Sequence, residues 1–159
     1  SEIDLPARQK GWLLEFADGS PGALVEALQG GLGGWHEALE PLLAEADRGR
    51  YVGGLGPTMA TLIDEWAEAR AGESKQASKE AANHEGARLM LRMLAAHYRT
   101  LLRGKDRTQA ERSAAAIDAL QVAERELGAN VRLAEMAEDL SIRLTEAMQG
   151  AEAGLGGIA

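Results

Sequence analysis

The chain has 159 residues, of which 25 are acidic and 17 basic, giving a formal net charge of −8. That balance argues against a protein whose main task is coating nucleic acid. There is no cysteine, which excludes disulfides, zinc–thiolate sites and thiol catalysis. No run approaches the ~20 apolar residues that span a bilayer, and no signal-peptide pattern opens the chain, so a cytoplasmic location is expected.

Hydrophobic residues make up 45%, Ala and Leu dominate, and β-branched residues are few. This composition predicts an all-α protein of one or two small domains, long enough to bury a real core. The charge is uneven: residues 1–71 carry 12 acids and 5 bases, whereas residues 72–159 carry 13 and 12. The chain begins Ser-Glu-Ile-Asp without Met, as expected of a truncated or processed protein.

In chain order, a first helix is expected from Pro6 to Ala17, with Asp4 as its cap and Trp12, Leu13 and Phe16 as its apolar face. Gly19 stops it, Ser20 caps a second helix, and Pro21 takes the first helical position, where a missing N–H costs nothing. Leu24, Val25 and Leu28 continue that helix. Two such short helices form no core alone and must pack on something else. Gly30, Gly31, Gly33 and Gly34 then mark the clearest boundary in the sequence.

Beyond it, Trp35, Leu39, Leu42, Leu43 and Ala46 recur at helical spacing. Residues 47–56 read as a loop, and Pro57 opens a helix with Met59, Leu62, Ile63 and Trp66 inward. Residues 72–75 read as a polar, mobile linker. A long helix is expected from about Gln76 to Arg103, buried along Met90, Met93, Leu94, His97 and Leu101 and ended by Gly104. The last unit, Ala116 to Leu144, reads as a helical hairpin. Ile117, Leu120, Ala123 and Leu127 line one arm; Leu133, Met136, Leu140 and Leu144 line the other. Between them, Gly128 is placed to take the left-handed helix-ending conformation and Asn130 to cap the next helix. Residues 150–159 are expected to be a flexible tail.

Most candidate sites have plainer explanations. The glycines at 30–34 lack the preceding strand and following Lys of a phosphate loop, and read as a helix junction. His36, His84 and His97 show no ligand spacing, and His97 reads as a hydrogen-bonded core histidine. Glu135, Glu138 and Asp139 cluster, yet nothing polar converges with them, and a solvated helix face accounts for them. No nucleophile motif is present, so no catalytic residue, metal or cofactor is expected. The exception is a basic stripe: Arg88, Arg92, Arg99 and Arg103 share a face, followed by Lys105, Arg107 and Arg112. From 88 to 112 there are seven bases against two acids. Pairing with acidic neighbours explains it, as does an interface with an acidic partner subunit. DNA contact is the weaker reading, since only Tyr98 is available for base stacking.

Three separated stretches also resemble, in order, the clamp-loader AAA+ family, and within it the delta-prime subunits of bacterial DNA polymerase III. FADGSPGALVEAL (residues 16–28) is similar to the Gly-Ser-Pro-Gly corner of the lid domain. LMLRMLAAHYRTLLRGKD (residues 89–106) resembles the long collar helix. AIDALQVAERELGANVRLAEMAEDLSIRL resembles the collar hairpin through Leu127, Asn130, Val131, Leu133, Leu140 and Leu144. It departs from the family at Arg132, where a second Asn is frequent, and at Met136, where Glu is common. ATP-contacting relatives start the lid helix G-x-x-R; here Gly22 stands at that place with Ala23 after it. No Walker or Ser-Arg-Cys motif is present.

The resemblance implies a partial lid domain and linker (1–34), a collar helical bundle (35–149) and a tail (150–159), without the nucleotide-binding core. It implies no ATP binding or hydrolysis by this chain, and assembly through collar domains with delta and gamma/tau subunits to load a sliding clamp on primed DNA, within a DNA polymerase III holoenzyme. The expected contact face is the long helix and the last two, including Arg92, Arg99, Leu133, Leu140 and Leu144. The alternatives are another loader subunit (gamma/tau, or the small subunit of a eukaryotic-type loader), a free-standing helical adaptor that shares only generic Ala/Leu helix pairing and, more remotely, an enzyme built on the carboxylates around Glu135.

Overall fold

The computed structural model describes residues 7–73 and 78–150. Among them are seven helices and no strand: α1 (Ala7–Ala17), α2 (Pro21–Gln29), α3 (Leu32–Asp47), α4 (Leu55–Glu73), α5 (Lys79–Leu102), α6 (Arg107–Gly128) and α7 (Leu133–Gln149). The expected cap at Asp4, the first turn at Pro6, residues 74–75 of the expected linker and residues 151–159 of the expected tail lie outside the described residues.

Local chemistry sets several of the helix starts. Ser20 Oγ accepts from Ala23 N at 3.3 Å, with Pro21 at the first helical position of α2. Ser78 Oγ does the same for α5 through Ala81 N at 3.1 Å, and Asp106 Oδ1 for α6 through Gln109 N at 3.2 Å. The α5 start expected at Gln76 falls outside the described residues; the described helix begins after Ser78.

The glycine-rich stretch is not a break. Gly31 takes a left-handed conformation (φ 75°) that re-aims the chain, and α3 starts at once with Leu32, so Gly33 and Gly34 are helical. Leu32 is wholly buried, and Trp35 and His36 follow it inward. The boundary expected at residue 34 thus falls inside α3. Trp12, Leu13 and Phe16 of α1 belong to the same apolar cluster as Met148 of α7. Likewise α4 continues through Gly72 to Glu73, where a linker was expected.

The hairpin turn is built differently from its sequence reading. Gly128 is the last residue of α6, and Asn130 takes the left-handed conformation (φ 62°), which its short polar side chain tolerates. Asn130 therefore does not cap α7; Arg132 occupies that position and makes no side-chain capping bond.

The centre of the bundle is α5, which packs against α1, α3, α4 and α6. Its buried surface is wider than one stripe: Leu89, Leu91, Ala96 and Tyr98 are buried together with Met90, Met93 and Leu94. Helices touched on several sides lose their amphipathic signature. At Gly86, α4 and α5 come so close that a Cβ would lie 2.9 Å from the Trp66 ring. The α6–α7 pair packs on α5 through α6 and on α4 through α7.

Candidate interaction surface

Three arginines of the basic stripe lie where α5 receives α1. Arg103 Nη2 is 3.0 Å and Arg99 Nε 3.5 Å from Glu15 Oε1. Arg92 sits 4.6 Å above the Phe16 ring and 4.0 Å from Glu26 Oε1. Glu15 is largely shielded, so its two guanidinium partners act in a less screened setting than an open surface pair. Three of the stripe's arginines thus meet acids of this same chain, while Arg88 is exposed. Arg92 and Arg99 still keep roughly half and two-fifths of their side-chain surface open, so an outside partner can reach them.

The leucines of the expected face part company. Leu140 and Leu144 are 2% and 0% exposed and hold α7 in the core, so they present no surface to a partner in this structure. Leu133 is partly buried at the edge of that core. The periodicity that made these residues conspicuous is the signature of the intramolecular face. The large apolar residues that remain exposed on α5 and α7 are Leu102 and Ile142, each 38% exposed.

Between α1, α3 and α5 lies a polar cluster assembled from distant positions. Asp47, at the end of α3, accepts from Tyr98 Oη on Oδ1 at 2.9 Å. Its Oδ2 lies 2.8 Å from His97 Nε2, whose N–H donates because an ionised carboxylate can only accept. His97 is therefore the hydrogen-bonded core histidine its sequence position implied. His36 stacks on Trp12 at 4.8 Å and lies 5.7 Å from the His97 ring. Burial, helped by His97, lowers the His36 pKa from 6.5 to about 4. Burial and the Asp47 charge push the Tyr98 hydroxyl well above its ordinary value, so it is a fixed donor.

The carboxylates of α7 do not converge. Glu138 accepts from Tyr51 Oη at 2.7 Å, and Asp139 accepts from Arg143 Nε at 2.8 Å. Glu126 of α6, which no sequence pattern singled out, has its pKa raised from 4.5 to about 6, by burial first and then by Asp139. Among the described residues no group of three His, Cys, Asp or Glu side chains is placed to hold a metal ion.

Two openings lie beside the α6–α7 pair. A cavity of about 410 Å³ lies between the start of α5 and the α6–α7 turn, with Ala87, Leu127, Val131 and Leu133 as apolar wall and Glu80, His84 and Arg132 as polar rim. A groove of about 790 Å³ follows the α6–α7 seam past Arg112, Ala115, Val122 and Ala147. No described helix is long and apolar enough to cross a membrane. Comparisons with family models, with curated proteins and with solved structures found no match.

Proposed function

We propose that this chain is the lid-to-collar region of a delta-prime-like clamp-loader subunit, acting in DNA replication by assembling with the collar domains of delta and gamma/tau subunits. The observation that carries the reading is the colinearity of three motifs with the helices they fall on. The Ser20–Pro21 corner joins α1 to α2, residues 89–106 cover most of α5 and its end, and residues 116–144 fall on the folded-back pair α6 and α7. The role is structural: the chain supplies helix faces for neighbours and no chemistry of its own. Permanent interfaces of this kind commonly bury on the order of 2,000 Å² or more.

With Leu140 and Leu144 committed to the core, the contact face on α5 and α7 consists of Arg92, Arg99, the edge of Leu133, Leu102 and Ile142. The test is capture of purified delta and gamma/tau collar fragments on the immobilised chain, wild type against Leu102→Glu and Ile142→Glu. Retention by the wild type and a loss of about tenfold or more in at least one variant is expected, since a buried apolar anchor is commonly worth over 1 kcal/mol. Absence of retention by the wild type would rule the reading out.

A further inference from the structure

The cavity between the start of α5 and the α6–α7 turn gathers polar side chains that the fold does not use. Glu80, Asn83 and His84 recur at helical spacing along one face of α5, and Asn130 and Arg132 come from the turn. Among the described residues, none of these five side chains makes a hydrogen bond or an ion pair within the chain. Asn83 Oδ1 is also closed off, and a closed-off acceptor without a donor costs the folded state free energy. The Asn83 amide can turn over about its terminal torsion, so it offers the cavity either a donor or an acceptor.

The other openings differ. In the α6–α7 groove Arg143 pairs with Asp139 and Glu111 with Arg107. In a groove between α2, α4 and α5, Arg70 pairs with Glu85 and Glu26 with Arg92. Both grooves thus carry ion pairs of the chain's own, which the cavity lacks.

The cavity lining also sorts by charge. Glu80 is an exposed carboxylate on the α5 side and Arg132 an exposed guanidinium on the turn side. The apolar part of the wall is aliphatic, made of Ala87, Leu127, Val131 and Leu133. Arg132 stands at the N-terminal end of α7, where the helix dipole disfavours a cation, and it makes no capping bond. A complementary ligand carries an ammonium group for Glu80, a carboxylate for the Arg132 fork and an aliphatic chain for the wall. At about 410 Å³ the cavity is near the lower end of the ~300–1,000 Å³ typical of ligand sites, which suits a small molecule. We propose that it binds a free aliphatic α-amino acid, ammonium toward Glu80 and Asn83, carboxylate toward Arg132, side chain against Leu127, Val131 and Leu133. The bound molecule would tie the start of α5 to the turn. This site stands independently of the clamp-loader reading.

Amide NMR and calorimetry on the full chain at neutral pH test this with three probes. They are L-leucine, isocaproate, which lacks the ammonium, and isoamylamine, which lacks the carboxylate. L-leucine should shift the amide signals of Asn83, His84, Val131 and Leu133. It should bind about tenfold or more tightly than either analogue, since each analogue forfeits a charge-assisted hydrogen bond. Arg132→Ala should weaken L-leucine by about the same factor and leave isoamylamine unchanged. Glu80→Gln should weaken L-leucine and leave isocaproate unchanged. Both residues are exposed, so neither change threatens folding. No shift at the cavity with L-leucine would overturn the site. Equal binding of an analogue, or a variant that binds L-leucine as the wild type does, would overturn the amino-acid assignment.

Discussion

Asp47 and Asp139 are both carboxylates carried on helices, yet their settings differ in kind. Asp47 is held by two donors from α5, with its own side chain 14% exposed. Asp139 accepts from one exposed arginine of its own helix, and its titration is linked to that of Glu126 on the neighbouring helix. In the first cluster burial keeps a base, His36, from taking a proton; in the second it keeps an acid, Glu126, from losing one. Burial disfavours charge in both, so the two regions answer acid with opposite sign.

The largest break in that comparison should come from Asp47→Ala. It leaves Tyr98 Oη and His97 Nε2 without their acceptor in the core, and urea unfolding should show a loss of about 3 kcal/mol. Next is the acid response of the same region. With His36 lowered to about 4, its contribution is full above the unfolded value of 6.5 and is lost as pH falls toward 4. Between pH 7.5 and 5 that is a loss of about 2 kcal/mol, which His36→Phe should remove from the stability–pH curve. Tyr98→Phe deletes one hydrogen bond to a charged acceptor while His97 keeps Asp47 partnered. It should cost about 1.5 kcal/mol by the same unfolding measurement. The smallest effect belongs to the exposed side. Arg143→Ala should cost only ~0.3–0.5 kcal/mol, because the Arg143–Asp139 pair is solvated. It should nevertheless raise the Asp139 titration midpoint, read by carboxyl-carbon NMR.

These contrasts also show what a sequence discloses. The all-helical class, the caps at Ser20 and the apolar faces of α3, α4 and α6 were legible, because each depends on residues within a turn or two of one another. The polar cluster was only half legible. His97 stood out on an apolar stripe, but its partner Asp47 is 50 residues away at what read as the first residue of a loop. Nothing local marks that pairing. Leu140 and Leu144 illustrate the converse: periodicity identifies a buried face but not whether the burying surface belongs to the same chain. The turn at Gly128–Arg132 went astray because glycine is the usual left-handed residue and Asn the usual cap. Here the helix runs on to Gly128, and Asn130 takes the left-handed position instead. Gly33 and Gly34 misled similarly, since burial of Leu32, Trp35 and His36 outweighs the low helix propensity of glycine.

The proposed assembly with like helical units can be read by size-exclusion chromatography with light scattering, on the chain alone and mixed with the collar fragments of delta and gamma/tau. A monomer near 16.9 kDa that moves into a heavier complex containing both partners is expected. A chain that elutes unchanged beside either fragment, at low and moderate salt, would contradict it.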